Sequence, residues 1–144
     1  AESFQNLFNL MNNNNLPLKV TSVYRSVSDQ LELFIERLAE KGVDINDTDS
    51  IASGDYDEAI SLLLETVAPP GYSRHHTGYT VDFQCGWAGL REFESSPCFE
   101  YMSADNYKVM KDLGFIPSYP KGAELQGPEP ESWEYIWVGK EALY

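Results

Sequence analysis

Two short segments of the chain hold side chains that could bind a metal ion. In the segment SRHHTGYTVDF, residues 73–83, His75 and Asp82 lie seven residues apart with Gly78 between them. Imidazole and carboxylate groups both bind zinc-like ions, and a turn at the glycine could bring them together. Taken alone, this spacing is also typical of histidines and aspartates that only stabilise a fold. His76 is a second candidate, but adjacent residues of an extended chain point in opposite directions, so only one of the two histidines should face the site.

The second segment, ESWEYIWV, contributes Glu134. Alternation along a strand would place Glu134 on the same face as Ile136 and Val138, opposite the aromatic residues of the segment. If that face packs inward, the Glu134 carboxylate is buried, and a metal or another cation must offset the cost. If the aromatic face forms the core instead, Glu134 is solvated and has no such role. The pattern alone leaves both alternatives open.

A small set of helices and strands must position these residues. Apolar periodicity predicts helices at 4–11, 25–42, 56–67 and 103–113, and β-branched and aromatic residues predict strands at 16–24, 79–83, 115–120 and 133–138. The polar stretch 44–55 is predicted to be a loop. Helices and strands are mixed without strict βαβ alternation, so the predicted fold class is α+β, with helices packed on one side of a short antiparallel sheet.

The composition limits the classes of partner. The 144 residues are most simply a single domain, residues 1–144, which we expect to be a monomer. A net charge of −13 repels a phosphate backbone and argues against nucleic acid as a partner. No apolar stretch approaches the roughly 20 residues that span a bilayer. The first residues, AESFQNLF, have neither the basic nor the apolar region of a signal peptide.

The two cysteines of the chain, Cys85 and Cys98, fit no zinc motif. A disulfide between them would suit an oxidising compartment, and two separate thiols fit the sequence equally well.

Together these segments resemble a known family, the zinc D-alanyl-D-alanine carboxypeptidases of the vancomycin-resistance type, relatives of lysostaphin and the Hedgehog signalling domain. That family pairs a Ser-x-His-x-x-Gly-x-x-x-Asp motif with a later Glu-x-Trp-His motif. The first motif is matched in full by Ser73, His75, Gly78 and Asp82. The early segment SVYRS and the later LGFIPSYP also resemble family elements, so that the resemblance spans residues 3 to 140.

The resemblance implies a metal centre and a general base. His75 and Asp82 would be two ligands of one zinc ion, with manganese or another divalent metal as an alternative. Glu131 would be the general base that activates water and later protonates the leaving amine. The third ligand of the family is a histidine, and this chain has Glu134 in its place.

The resemblance also implies a substrate and a place of action. The substrate would be a peptidoglycan stem peptide that loses its terminal D-alanine, in the cell envelope, periplasmic or extracellular. Arg25 would bind the terminal carboxylate of the peptide, because its planar guanidinium matches a carboxylate. Ser73 and Gln30 would line the substrate pocket.

The replacement of the third histidine by Glu134 permits two hypotheses. In the first, one histidine and two carboxylates form a working site that binds zinc less selectively and tolerates manganese better. In the second, the site no longer catalyses and the chain is a pseudoenzyme or binding module for cell-wall peptides. Retention of Glu131 favours the first hypothesis, because a pure binder has no evident use for a general base.

Overall fold

A computed structural model of the protein describes residues 2–122 and 129–143 and contains five α-helices and four strands within these ranges. The helices are α1 (Glu2–Asn13), α2 (Val27–Glu40), α3 (Thr48–Ser53), α4 (Asp57–Leu64) and α5 (Pro97–Asp112); the strands are β1 (Leu18–Ser22), β2 (Thr80–Cys85), β3 (Phe115–Pro117) and β4 (Glu134–Trp137). Short 3-10 turns cover Arg74–Thr77, Leu90–Ser95 and Lys140–Ala142. No helix in the described ranges has the length and apolar character needed to cross a membrane.

The four strands form one antiparallel sheet in the order β1-β2-β4-β3. The two strands that carry the candidate ligands, β2 and β4, are therefore its central pair. Their register places Asp82 directly opposite Glu134 and Val81 opposite Tyr135. The predicted α+β class with a short antiparallel sheet is confirmed.

The main hydrophobic core lies between one face of the sheet and the helices α1 and α5. Its fully buried members from the strands, α1 and α5 include Phe83, Phe115, Tyr135, Leu7, Met11, Met102 and Met110. A second, smaller cluster joins α2 to α4 around Leu38, Val43 and Leu63. This second cluster packs α2 against α4, apart from the main core. Residues of α2 line one side of the cleft that contains the candidate ligands.

One helix was missed and the start of another was predicted too late, and capping of the helix ends explains both errors. The predicted loop 44–55 contains α3, because the Asp47 side chain accepts a hydrogen bond from the Ser50 N–H (3.1 Å) and Gly54 ends the helix in a left-handed conformation. The helix predicted to begin near residue 103 is α5, which begins at Pro97 after Ser96 accepts a bond from the Phe99 N–H (3.2 Å). Residues 104–107 within α5 depart from helical geometry.

Cys85 and Cys98 form a disulfide that connects the end of β2 to the first turn of α5. The bridge decides between the two alternatives that the sequence left open. It fastens the strand of Asp82 to the main core three residues beyond that aspartate.

We expect the Cys85→Ser, Cys98→Ser double variant to lose about 3 kcal/mol of unfolding free energy, because the bridge restrains a loop of about this length in the unfolded chain. Urea unfolding with and without reductant measures the loss. Reductant should destabilise the wild type and leave the double variant unchanged. Two reactive thiols in the unfolded, unreduced wild type would contradict the bridge.

Candidate active site

Backbone geometry brings His75, Asp82 and Glu134 to one face of the sheet. Asp82 and Glu134 alternate with the core residues of β2 and β4, so they point away from the main core. His75 lies in the 3-10 turn that precedes β2. The Ser73 side chain caps this turn by accepting a hydrogen bond from the His75 N–H (3.3 Å), and Gly78 ends it with φ 73°. The serine and glycine of the motif thus have a clear local task.

The three side chains are buried and close enough to share one ion. Their relative exposures are 5% for His75, 9% for Asp82 and 5% for Glu134, and one ligand atom from each lies within 4.8 Å of the others. His75 Nε2 is 3.2 Å from Asp82 Oδ2 and 3.7 Å from Glu134 Oε2. Ligands of a tetrahedral zinc ion, each about 2.1 Å from it, lie about 3.4 Å apart. The three groups are therefore spaced so that they could hold one metal ion.

The hydrogen bonds of His75 orient its ring for ligation. Its Nδ1 lies 2.6 Å from the Val23 carbonyl oxygen, which can only accept, so Nδ1 carries the proton. Nε2 is then the nitrogen that faces the two carboxylates, and loss of its proton would free a lone pair for a metal ion, as in metal-binding histidines. Burial alone would lower the pKa of His75, but the hydrogen bond to Asp82 and the charge of that carboxylate raise it overall.

His76 is turned away from this cluster. Its Nδ1 donates to the Arg25 carbonyl oxygen (2.7 Å), and its Nε2 accepts from the Gly71 N–H (3.1 Å). Both ring nitrogens therefore hold the surrounding loops together. Only one of the adjacent histidines faces the site, in agreement with the sequence prediction.

In the described part of the chain, the three candidate ligands leave one buried oxygen without a hydrogen-bond partner, which a divalent cation would satisfy. Asp82 Oδ1 is buried and has no hydrogen-bond partner among the described residues. A buried carboxylate oxygen left in this state is costly. Together with the His75 lone pair and the Glu134 carboxylate, it forms a convergence of electron-pair donors that a cation would satisfy.

Arg74 contacts Glu134, the candidate third ligand. Its Nη1 donates to Glu134 Oε1 at 3.1 Å, while its guanidinium carbon lies 4.6 Å from the centre of the Tyr119 ring.

Neither predicted environment of Glu134 is correct alone, because Tyr135 on the opposite face of β4 is in the core and Glu134 is nevertheless buried. Neither Arg74 nor Tyr119 was predicted from the sequence to have a role in the site. The sequence feature that could have indicated a role is the position of Arg74 between Ser73 and His75 of the motif.

Glu131 lies beside Glu134 at the start of the last strand, where its carbonyl accepts from the Glu134 N–H (3.1 Å). Burial, and then the negative charge of Glu134, raise the pKa of Glu131 to about 8. A carboxyl group with such a pKa can take up and release a proton near neutral pH. The environment of Glu131 therefore suits acid–base chemistry.

The seven residues that the family resemblance assigns to the site line one cleft of about 710 Å³: Arg25, Gln30, Ser73, His75, Asp82, Glu131 and Glu134. Arg25 donates to Gln30 Oε1 (2.9 Å) and Ser22 Oγ (3.3 Å). Gln30 is 1% exposed and donates from Nε2 to the Ala68 carbonyl (2.6 Å). The amide of Gln30 thus holds the Arg25 guanidinium at the cleft wall.

Solved carboxypeptidase structures share this fold. The LD-carboxypeptidase LdcB aligns with a TM-score of 0.72 and 25% identity over 99% of this chain and 58% of its own. The vancomycin-resistance D,D-pentapeptidase VanY of a VanB-type cassette, solved with Zn(II), gives 0.69 and 26% over 99% of this chain and 72% of its own. A VanYB structure solved with D-alanine-D-alanine gives the same TM-score and identity, over 99% of this chain and 71% of its own.

The chain belongs to the VanY D-alanyl-D-alanine carboxypeptidase family, whose model matches residues 1–140. A D-alanyl-D-alanine carboxypeptidase of Enterococcus faecalis is 30% identical over 125 residues, which cover 85% of this chain and 41% of that protein. YodJ of Bacillus subtilis is 27% identical over 146 aligned residues, 99% of this chain and 46% of that protein. The chain therefore spans less than half of the length of these two curated relatives.

Proposed function

We propose that this chain is the catalytic domain of a metal-dependent carboxypeptidase that removes the terminal D-alanine from peptidoglycan stem peptides in the cell envelope. The observation that carries the proposal is the convergence of His75 Nε2, Asp82 and Glu134 Oε2, with Asp82 Oδ1 buried and without a partner among the described residues. These three residues would hold one zinc ion or another divalent metal. When bound, such an ion polarises the scissile carbonyl and makes water more acidic.

The remaining groups of the site have tasks that follow from their positions. Glu131 in its ionised form takes a proton from the attacking water and passes it to the amine of the departing D-alanine. Arg25 binds the terminal carboxylate, since a guanidinium has five N–H donors and Gln30 and Ser22 each accept from one of its terminal nitrogens. Ser73 also lines the cleft, and its side chain keeps the His75 turn in place.

The direct test combines metal content with turnover. Purified protein should contain about one divalent ion per chain, and hydrolysis of an acyl-D-Ala-D-Ala peptide should require added zinc or manganese after chelation. Release of D-alanine is the readout. Metal-free protein that cleaves the peptide at the same rate would contradict the proposal.

A second candidate function is a binding module for cell-wall peptides that does not cleave them. The contact between Arg74 and Glu134 favours it, because Arg74 partly offsets the buried charge of Glu134 without a metal. Such a protein would bind acyl-D-Ala-D-Ala through Arg25 and release no D-alanine with any metal. Calorimetry and the turnover assay together separate the two functions.

If Arg25 reads the terminal carboxylate, Arg25→Lys should raise KM about tenfold, since one charge-assisted hydrogen bond contributes about 1.5 kcal/mol. A point charge replaces a bidentate fork in this variant. Steady-state kinetics on free-acid and C-terminally amidated peptides measures the effect. The amide should be poor for the wild type and no worse for the variant, whereas an equal loss on both peptides would show that Arg25 only supports the fold.

A further inference from the structure

Positive charge is sorted by residue type between the cleft and the rest of the surface. The chain has four arginines and six lysines. All four arginines line the cleft: Arg25, Arg37, Arg74 and Arg91. None of the lysines, all at described positions, belongs to its lining. Guanidinium groups bind carboxylates through two parallel hydrogen bonds, which ammonium groups cannot do. The presence of arginines and the absence of lysines in the cleft lining point to a ligand with more than one carboxylate.

Three of the four arginines have a partner or a task within the site. Arg25 is placed for the terminal carboxylate, and Arg74 contacts Glu134. Arg91 pairs with Glu129 at 2.6 Å. Arg37 is different, because its partner Glu40 lies one turn along the same helix and, unlike Glu129, does not belong to the cleft lining; both side chains are about half exposed. Such a pair contributes little to stability, so a ligand carboxylate can replace Glu40.

The helix α2 sets the backbone separation between Arg37 and Gln30, the residue that holds Arg25. Gln30, Leu33 and Arg37 all line the cleft, and their spacing of three and seven residues places them on one helical face. Gln30 holds the Arg25 guanidinium at 2.9 Å. Seven residues of α-helix rise about 10 Å. An extended peptide advances about 3.3–3.6 Å per residue, so this distance corresponds to about three residues.

We infer that Arg37 binds a second carboxylate of the substrate, carried by the residue about three positions before the C-terminal residue. The substrate class is then an acidic peptide with two anionic groups at this separation. The inference rests on the proposed binding of the terminal carboxylate by Arg25. Glu65 and Glu129 also line the cleft, so the selectivity comes from direct pairing with Arg37 and not from a positive long-range field.

Two peptides that differ in one group test the inference: acetyl-Glu-Ala-D-Ala-D-Ala and its Gln counterpart. Their Kd values are measured by calorimetry on the metal-loaded Glu131→Gln variant, in which cleavage is expected to be about 10²- to 10⁴-fold slower. The Glu peptide should bind about tenfold more tightly. Adding Arg37→Gln should abolish this preference and leave the Kd of the Gln peptide unchanged. Lys41→Gln removes a positive charge at the end of the same helix, outside the cleft, and should keep the preference.

Two results would overturn the inference: equal Kd values for the two peptides, or a preference for Glu that survives Arg37→Gln. A shift of the glutamate to the position next to the C-terminal residue should also remove the preference, and an unchanged preference there would contradict the distance derived from α2. Failure of the proposed function has a different signature. In that case wild type releases no D-alanine, or Arg25→Lys leaves the binding of both peptides intact, whatever the selectivity for Glu over Gln.

Discussion

Replacing Glu131 by glutamine should lower kcat by about 10²- to 10⁴-fold and leave the affinity for zinc within about tenfold of the wild type. Glutamine keeps the size of the side chain but cannot accept the proton of the attacking water or return it to the leaving amine. Glu131 is also not one of the three candidate ligands that converge in the site, so the metal should stay bound. D-alanine release gives kcat, and competition with a chromophoric chelator gives the metal affinity.

Glu129→Gln is a matched control, because it removes another carboxylate that lines the same cleft. This control should keep kcat within about threefold of wild type, as expected for a residue outside the reacting centre. If Glu131→Gln retained wild-type turnover, another group would have to move the proton. If it lost the metal as well, Glu131 would have to be counted as a ligand.

The second large effect concerns Glu134. Glu134→His should tighten zinc binding about tenfold or more, equivalent to about 1.4 kcal/mol. Imidazole suits zinc better than carboxylate does. A neutral imidazole would also not be shared with Arg74, whereas the Glu134 carboxylate is paired with that guanidinium. Glu134→Gln should weaken zinc binding by a similar factor, because a neutral amide is a poor ligand for this ion. Chelator competition on the three proteins provides the comparison.

The behaviour of the wild type in this series separates the two functional hypotheses. A wild type that turns over substrate with zinc or manganese shows that the carboxylate works as third ligand. A wild type that binds neither metal, beside a Glu134→His variant that gains both metal and activity, shows that Glu134 disabled the site. Weaker zinc binding by Glu134→His than by the wild type would contradict the ligand assignment itself.

Local sequence patterns predicted the part of the site that depends on local geometry. The Ser73-to-Asp82 spacing is read directly from the chain, because the serine caps a turn and Gly78 supplies the left-handed residue that ends it. The alternation of β2 and β4 similarly indicates which residues share a face. These features need no knowledge of distant contacts, and the structure brings the residues concerned into one cleft.

The environment of Glu134 could not be predicted in the same way. Period-two alternation says that Glu134 and Tyr135 face opposite directions, but not how well each face is covered. The main core covers Tyr135, while the cover of Glu134 includes Arg74, which is 60 residues away in the chain. The disulfide was undecided for the same reason, since only the packing of α5 beside the end of β2 brings Cys98 to Cys85.

The separation of arginines from lysines has a practical consequence for chemical modification. Amine-reactive reagents acylate lysines, and every lysine of this chain lies outside the cleft lining. Coupling through lysines to a resin or a fluorophore should therefore leave the cleft open and preserve peptide binding. Dicarbonyl reagents selective for guanidinium groups should do the reverse, and a bound peptide should protect the protein from them. The two reagent classes divide the molecule into a surface for attachment and a surface for recognition.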